Sequence, residues 1–296
     1  MRRIQNLLRG GVYLARGTVK AVQVGHLFPE GSRRVPAPAP GGTTEAALNA
    51  RRREIDRFMH STHRLPLAGL DRELRLLHLT DAHVRSGGRW LDDLAGHLRS
   101  MTPDAVLLTG DMVTKHWTEE AARALLAALP EAPLGRFAVM GNWEHWAGAD
   151  PVYWGRLLAE HDVRLLMNEA VDLGPIGLAG TDDLLAGPVS PEELAATVAA
   201  LPAGKPAVVM SHSPAAFDQL AGPGVHLVLS GHAHGGQIRV PKAGSFFVPK
   251  GTGDYVAGWF QRGDSHLFVS RGIGWSLAPL RWRCPPEIAE IVLTPR

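Results

Sequence analysis

Five short apolar segments of this chain each run directly into a residue that can bind a metal ion. Helical patterns lie between the segments, and this alternation is typical of an α/β domain. The segments are residues 74–80, 105–109, 136–140, 207–210 and 227–229. Because ligands of α/β domains bind at the carboxyl ends of the strands, we expect the polar residues that follow these segments to lie close together.

The residues at the five segment ends are carboxylates, an amide and imidazoles. They are Asp81, His83, Asp111, Asn142, His212, His232 and His234. Imidazole together with carboxylate and amide oxygens suits Mn, Fe or Zn better than Ca or Mg. Each segment alone has an ordinary explanation, such as a Gly-Asp turn, but five in succession indicate a metal site. The excess of histidine, fourteen residues against three tyrosines, agrees with that interpretation.

Composition excludes several classes of protein. With 45% hydrophobic and 20% charged residues, the chain does not have the composition of a disordered protein. Its single cysteine, Cys284, excludes an intrachain disulfide framework and a four-cysteine zinc site. We also exclude an integral membrane protein, because the sequence has no uninterrupted run of roughly 20 apolar residues.

Residues 1–28 are predicted to form a basic amphipathic helix. The segment has no acidic residue, and its apolar residues recur at helical spacing on one face, with Arg2, Arg9, Arg16 and Lys20 on the other. Such a helix can bind an anionic membrane surface, or its apolar face can pack on the rest of the protein; the sequence leaves both open. The cations interrupt the apolar run that an export signal needs. We therefore expect a cytoplasmic protein, which lies on the inner face of the cytoplasmic membrane if the helix binds lipid.

A division of the chain is predicted near residue 60. Residues 29–42 are rich in Pro and Gly and predict a semi-rigid spacer. A helix is predicted from Thr43 or Thr44 to about His60. The two predicted units are an arm with its linker, residues 1–59, and one large domain, residues 60–296.

Charge is distributed unevenly between these units. Residues 1–60 hold eleven Lys and Arg against four Asp and Glu, whereas the remainder holds twenty against twenty-five. An anionic partner is therefore expected at the arm. The acidic balance of the large domain argues against a nucleic-acid groove on it.

Helices and further strands fill the intervals between the five segments and the region after them. Helices are predicted over residues 90–100 and 119–129, from Asp150, and over residues 190–200. Strands are predicted over residues 245–248, 266–270 and 288–293. Because no helical pattern separates these last strands, the second half is expected to be more antiparallel.

Taken in order, the segment ends resemble a known family of enzymes. The matching residues are Asp81-x-His83, Gly110-Asp111, Gly141-Asn142-x-Glu144, His212 and Gly231-His232-Ala233-His234. This series resembles the calcineurin-like metallophosphoesterases. The runs GHAHGGQ, residues 231–237, and SRGIGWSLAPLRWRCPPE, residues 270–287, are similar to a bacterial subgroup of small, often membrane-associated phosphodiesterases. That subgroup is in turn similar to certain UDP-diacylglucosamine pyrophosphatases.

The resemblance covers about residues 60–296 and implies a fold, a cofactor and an activity. The implied fold is a layered α/β-β/α sandwich, and the implied cofactor is two divalent metal ions, with Mn favoured over Fe or Zn. The first ion would be held by Asp81, His83 and His234, the second by Asn142, His212 and His232, with Asp111 bridging the two. The implied activity is attack of a metal-bridging hydroxide on a phosphodiester or pyrophosphate bond. The substrate is expected to be lipid-linked and reached at the membrane.

One position departs from the family pattern. The third motif usually reads Gly-Asn-His-Glu or Gly-Asn-His-Asp, and its histidine is thought to protonate the leaving oxygen. This chain has Trp143 there, and an indole donates a hydrogen bond without delivering a proton. Three interpretations stay open: His145 replaces the acid, the leaving group needs little protonation, or the protein is a catalytically impaired metal-binding or membrane-adaptor protein. Asn142 and His145 are thus the candidate catalytic residues, and Arg85 and Trp143 are candidates for substrate contact.

Overall fold

Two β-sheets face each other across a shared apolar layer in the computed structural model of this chain. The structure describes residues 12–14, 32–35, 57–240, 244–245, 247–276 and 278–296. The shared layer takes aliphatic and aromatic residues from both sheets, for example Leu107 and Ile291 from one and Leu229 and Phe268 from the other. These strands are buried on both faces, which is why several read as nearly continuous apolar runs.

The first sheet has six strands. They are β3 Met59–Leu67, β4 Leu74–Leu79, β5 Ala105–Thr109, β6 Arg136–Val139, β7 Val163–Leu165 and β17 Glu287–Pro295. Their order across the sheet is β3-β17-β4-β5-β6-β7. Strands β4 to β7 are parallel, and β17 lies between β3 and β4, parallel to the former and antiparallel to the latter.

The second sheet has seven strands. They are β2 Ser32–Val35, β8 Glu169–Asp172, β9 Gly177–Gly180, β10 Ala207–Met210, β11 Leu227–Ser230, β15 Gly258–Arg262 and β16 Ser265–Val269. Their order is β2-β15-β16-β11-β10-β9-β8. Strands β9, β10, β11 and β16 are parallel, and β2, β8 and β15 each run antiparallel to a neighbour. The expectation of a more antiparallel second half therefore holds for β15 beside β16 and for β17 beside β4, whereas β9, β10, β11 and β16 are parallel.

Short strands outside the two sheets form two small ribbons. They are β1 Val12–Leu14 with β14 Phe247–Pro249, and β12 Arg239–Val240 with β13 Gly244–Ser245.

Helices cover the outer face of each sheet. They are α1 Arg89–Leu98, α2 Glu119–Ala127, α3 Asn142–Trp146, α4 Pro151–Ala159, α5 Pro191–Ala199 and α6 Phe217–Leu220. Thr118, Asp150 and Ser190 cap α2, α4 and α5 with side-chain oxygens that accept backbone N–H groups. Leucines of α1, α2 and α4 pack on the first sheet, and α5 and α6 pack on the second. The predicted layered α/β-β/α sandwich is confirmed.

The amino-terminal predictions need correction where the structure describes them. Val12–Leu14, placed in the predicted amphipathic helix, instead form a strand antiparallel to β14. Ser32–Val35, placed in the predicted spacer, extend the second sheet beside β15. In both cases a strand edge supplies backbone partners that the local sequence could not reveal. The rest of residues 1–28 and 29–42 lies outside the described residues.

The helix predicted to end near His60 is also corrected. Its last residues, Met59 and His60, begin β3, and residues 43–56 lie outside the described residues. Among the residues that are described, no helix combines the length and apolar character needed to cross a membrane.

Candidate metal centre

The seven predicted ligands gather at one edge of the sandwich, where the carboxyl ends of strands from both sheets meet. Asp81, Asp111 and Asn142 follow the ends of strands β4, β5 and β6 of the first sheet within three residues. His212 and His232 each lie two residues after the end of a strand of the second sheet, β10 and β11 respectively. All seven side chains are buried, none of them more than 4% exposed. The site therefore exists only where the two sheets are packed together.

The first group of ligand atoms comprises one carboxylate and two imidazoles. Nε2 of His83 lies 2.9 Å from Nε2 of His234, and the two rings are stacked. Oδ1 of Asp81 lies 3.3 Å from His234 Nε2 and 3.9 Å from His83 Nε2. Asp81 is fixed in turn by its neighbour Thr80, whose hydroxyl donates to Oδ2 at 2.9 Å.

The second group comprises Asp111, His212, His232 and Asn142. Nε2 of His212 lies 3.2 Å from Asp111 Oδ2, 3.1 Å from His232 Nδ1 and 3.2 Å from Asn142 Oδ1. The same Oδ2 of Asp111 lies 3.7 Å from Nε2 of His83 in the first group. Asp111 thus stands between the two groups.

Backbone carbonyls determine which nitrogen of each second-group imidazole is available as a ligand. A carbonyl only accepts, so Nδ1 of His212 donates to Thr109 O at 2.7 Å, and Nε2 of His232 donates to Lys250 O at 2.7 Å. The other ring nitrogens, His212 Nε2 and His232 Nδ1, face Asp111 and each other, and each has a lone pair for a metal ion once its ring is neutral. Such a cluster of facing acceptor atoms suits a cation, and the donor set fits a divalent transition metal.

The pKa values of residues in the two groups also favour a bound cation. Burial lowers the pKa of His83 to about 3 and that of His234 well below its usual value, so both rings are neutral and able to bind a metal. Burial raises the pKa of Asp81 to about 7. Burial opposes a charge on His212, yet the adjacent Asp111 carboxylate outweighs it and raises the pKa of His212 well above its usual value. The carboxylates of this site therefore attract positive charge strongly.

The backbone at the candidate ligands adopts a conformation that side chains disfavour. Five of the seven have a positive φ in the left-handed region: Asp81, His83, Asp111, His232 and His234. Residues other than glycine seldom adopt it, and such residues cluster at functional sites. Their neighbour Gly231 is also constrained, because a Cβ there would overlap Thr80 and Asp81 side-chain atoms.

Glu144 holds the loops after β5 and β6 together. Its fully buried carboxylate accepts backbone N–H groups at 2.6 to 3.2 Å; the donors are Asp111, Met112, Val113 and Gly141. Burial raises the pKa of Glu144 to about 7, and the backbone donors oppose that rise. Glu144 therefore positions Asp111 and Asn142 relative to each other without belonging to the ligand set.

This arrangement is matched by a family description. The model for calcineurin-like phosphoesterases matches residues 74–236 of the chain, which include all seven candidate ligands. The chain belongs to the calcineurin-like phosphoesterase family. The prediction of a hydrolytic phosphoesterase is thereby confirmed.

Bacterial relatives in this family are similar over most of the chain. The metallophosphoesterase YkuE of Bacillus subtilis (strain 168) is 30% identical over 229 residues, 74% of this chain and 78% of the relative. Phosphodiesterase YaeI of Escherichia coli (strain K12) is 34% identical over 199 residues, 64% of this chain and 70% of the relative. A metallophosphoesterase of Helicobacter pylori (strain J99) is 30% identical over 233 residues, and the chain spans 61% of its length.

Trp143, at the position of the family's acid histidine, contacts both ligand groups. Its backbone N–H donates to Asp111 Oδ1 at 2.8 Å. Its indole meets the ring of His83 edge-on, with the ring centroids 5.7 Å apart, and packs against Trp146. The side chain lines the cavity beside the ligands.

His145 does not take the place that Trp143 occupies. Both residues lie on α3, and residues two apart on a helix point in different directions. Nε2 of His145 instead lies 2.7 Å from Oδ1 of Asp182, which follows β9 of the second sheet. His145 is not among the residues that line the cavity in the described part of the chain. Its assignment as the acid stays a prediction that this geometry does not favour.

The guanidinium of Arg85 contacts other residues of the chain. Its guanidinium lies over the ring of Trp275, 3.8 Å from the centroid, and donates to Ser276 O at 2.7 Å and His83 O at 3.1 Å. These contacts fix the segment of residues 270–287 beside the first group. The predicted contact of Arg85 with substrate stays untested.

The segment of residues 270–287 lines the back of the first group. Ile273 and Gly274 donate backbone N–H groups to Thr80 O and Asp81 O. Buried Arg281 donates to backbone carbonyls of the same segment, including Gly274 O at 2.8 Å. These contacts therefore support Asp81.

Asp182 and Asp183 escaped the sequence analysis. They follow β9, whose sequence Gly-Leu-Ala-Gly gives little strand signal, and both are buried. The acidic pair directly after an apolar segment was nevertheless the same type of signal as at the other five strand ends. Asp183 accepts the hydroxyl of Ser213, the residue after His212, at 2.6 Å.

A cavity of about 160 Å³ opens beside the ligands. Asp111, Asn142, His232 and His234 form one wall. The rest is mostly apolar and includes Trp143, Trp146, Leu185, Ile238, Pro249 and Leu280. Trp146 and Leu280 are also 38% and 52% exposed, so the apolar lining continues to the protein surface.

Proposed function

We propose that this protein hydrolyses phosphodiester or pyrophosphate bonds with two divalent cations. The proposal rests on Asp111, whose Oδ2 lies 3.7 Å from His83 Nε2 in one group and 3.2 Å from His212 Nε2 in the other. A carboxylate between two ligand groups can bridge two cations and offset part of their charge. The proposed ligands are Asp81, His83 and His234 for the first cation, Asn142, His212 and His232 for the second, and Asp111 for both.

Two cations bound there would lower the pKa of a shared water and neutralise phosphoryl oxygens. The residues of the chain position these charges. Thr109 O and Lys250 O orient the rings of His212 and His232, and the Trp143 N–H orients the carboxylate of Asp111. Asn142 lines the cavity, and we propose that it faces both the second cation and the substrate.

Mn is the proposed native metal, with Fe and Zn as alternatives. The donor set is rich in imidazole and has no thiolate, since Cys284 is buried outside the ligand groups. Nitrogen and oxygen donors of this kind suit first-row transition metals.

The proposed leaving group needs little protonation. The acid position of the family carries an indole, and His145 is paired with Asp182. A phosphate leaving group, as in a pyrophosphate, or an aryl oxide departs with little help from an acid, whereas an alkoxide needs one.

The substrate is proposed to carry an apolar, lipid-like group. The cavity beside the ligands has walls of tryptophan, leucine and isoleucine, which would remove such a group from water. Exposed Trp146 and Leu280 at its opening would suit a membrane interface. We therefore propose action on a lipid-linked substrate at the inner face of the cytoplasmic membrane, with residues 1–28 as a further anionic-membrane contact.

The decisive experiment for hydrolysis is reconstitution of the metal-free protein with Mn and measurement of bis-p-nitrophenyl phosphate turnover. This aryl diester does not depend on a general acid. We expect turnover that needs metal and falls at least about a hundredfold in Asp111→Asn. Turnover that persists without metal, or is unchanged in Asp111→Asn, would contradict the proposal.

The membrane proposal is tested by flotation with vesicles containing phosphatidylglycerol. The full chain is compared with a variant that begins at Thr43, and each is measured at low and high salt. We expect the full chain to float at low salt and the shortened one to float less. Equal flotation would remove residues 1–28 from the proposal.

A second candidate function is non-catalytic metal binding, and Trp143 is the observation in its favour. In that case the protein would bind Mn at both groups and yet turn over neither aryl diesters nor pyrophosphates. The same reconstitution experiment separates the two candidates when bound Mn is quantified on the sample whose turnover is measured.

A further inference from the structure

We infer that His145 and Asp182 are positioning residues that set the geometry of the second ligand group. The inference rests on the proposed function for the identity of that group. In this role His145 holds ligands in place and does not donate a proton to the leaving oxygen.

The second ligand group is divided between the two sheets. Asn142 begins α3, which Glu144 ties to the loop after β5 of the first sheet. His212 and His232 follow β10 and β11 of the second sheet. The distance from Asn142 Oδ1 to His212 Nε2, 3.2 Å, therefore depends on how α3 is held against the second sheet.

The contact between His145 and Asp182 joins α3 to the second sheet. Nε2 of His145 lies 2.7 Å from Asp182 Oδ1, and Asp182 lies two residues after the end of β9. Asp182 is itself fixed. Its Oδ1 also accepts the Asp183 N–H at 2.8 Å, and its own N–H donates to Asn168 Oδ1 at 3.0 Å.

Asp183 continues the connection to the ligand loop. Its Oδ1 accepts the hydroxyl of Ser213 at 2.6 Å, and its Oδ2 accepts the N–H groups of Leu185 and Ala186 at 2.9 and 2.8 Å. Ser213 is the residue after His212. A closed circuit of contacts thus runs from Asn142 through α3, Asp182, Asp183 and Ser213 to His212, and back to Asn142.

The residues that connect Asn142 to His212 in this circuit lie outside the ligand groups, so they act through those two ligands. Residues that orient metal ligands from behind typically change metal affinity about 10- to 100-fold when removed. His145 is placed to orient ligands in this way. Its Nε2 is paired with the buried carboxylate of Asp182, and His145 is not among the residues that line the cavity.

The experiment is calorimetric titration of the metal-free full chain with Mn, together with kcat for bis-p-nitrophenyl phosphate at rising Mn. In His145→Ala we expect one Mn site to weaken about 10- to 100-fold and the other to change less than about twofold. We expect excess Mn to restore kcat. His145→Gln, whose amide can donate to Asp182, should recover most of the affinity, and Asp182→Ala should repeat the loss.

The matched control is His116→Ala, an exposed histidine of the loop after β5. In His116→Ala, the affinities of both sites for Mn should equal those of the wild type. If His145→Ala binds Mn normally and loses kcat at saturating Mn, most strongly with alkyl leaving groups, His145 is an acid and the inference is overturned. If the affinity loss is shared equally by both sites, or is not recovered by His145→Gln, the positioning role is likewise refuted. Failure of the proposed function would appear separately, as a wild type that binds fewer than two Mn or lacks turnover.

Discussion

The backbone N–H of Trp143 donates a hydrogen bond to Oδ1 of Asp111 at 2.8 Å. Because the main chain makes this bond, the side chain at position 143 can change without releasing the carboxylate that stands between the two ligand groups. The loss of the family's histidine therefore need not weaken metal binding. What it changes is the group that faces a substrate in the cavity.

Trp143→His is expected to raise turnover of alkyl phosphodiesters. An imidazole at this position can donate a proton to an alkoxide, and general acid catalysis typically contributes about 10²- to 10⁴-fold. Turnover of bis-p-nitrophenyl phosphate should change far less, since its leaving group needs no proton. Steady-state kinetics with both substrates check this, and Trp143→Phe serves as the control for lost indole volume. An equal change with both substrates would argue against a missing acid.

Mn is expected to stabilise the folded protein. The two ligand groups form only when both sheets are in place, so the metal binds the native state in preference to the unfolded chain. At one hundred times its Kd, a metal bound to one site adds about 2.7 kcal/mol to the free energy of unfolding. Denaturant unfolding with chelator and with Mn measures this, with Asp111→Asn as the variant in which the gain should shrink. Identical unfolding curves with chelator and Mn would contradict a metal site of this kind.

The five strand ends show which parts of the fold and of the site can be predicted from the sequence. Each is a local pattern, an apolar run followed by a ligand residue, so the sequence predicted both the strands and the gathering of seven side chains. The same logic missed Asp182, because β9 is a four-residue strand with a glycine at each end. It also misplaced Met59 and His60, whose strand is stabilised by pairing with β17, at the far end of the chain.

The roles of His145 and Arg85 depended on geometry that sequence distance does not encode. His145 is two residues from Trp143, which suggests proximity in an extended chain but different directions on a helix. Arg85 is held by Trp275 and Ser276, residues far along the chain. No local sequence pattern predicts contacts between segments that lie so far apart along the chain.

Glu287 is expected to make stability depend on pH on the acid side. Burial opposes its charge, but the His63 imidazole, with Nε2 3.8 Å from Oε1, and the hydrogen-bonded Arg271 guanidinium outweigh it and hold the pKa of Glu287 well below its usual 4.5. Its contribution is therefore present in full above pH 4.5 and is lost as the pH falls toward the lower folded-state value. Breaking such a buried pair costs roughly 3 to 5 kcal/mol.

The measurement is the free energy of unfolding of the wild type and Glu287→Gln from pH 7 to pH 3, both metal-free. The difference should be largest at neutral pH and shrink below about pH 4.5. Exposed Glu120→Gln is the control and should show no such trend. A difference that grew on acidification would reverse the sign and refute the interpretation.

Trp146→Ala and Leu280→Ala are expected to lower kcat/KM selectively for substrates with a large apolar group. Both side chains line the cavity and reach the surface, so each would cover part of that group. A loss of about 1.4 kcal/mol of apolar contact corresponds to about tenfold in kcat/KM. A series of aryl diesters with increasing alkyl length provides the measurement, and Val152→Ala, an exposed apolar residue on α4, is the control. Equal loss for all chain lengths would show that the cavity does not select substrates.

The place of β17 between β3 and β4 has a consequence for the timing of biosynthesis. The strands that carry Asp81 and Asp111 are made early, but their sheet stays open until residues 287–295 insert between its first two members. A nascent chain on the ribosome therefore cannot complete this sheet until that segment has emerged from the exit tunnel. We therefore expect metal binding to follow the insertion of β17, because until then the strands of Asp81 and Asp111 belong to an incomplete sheet.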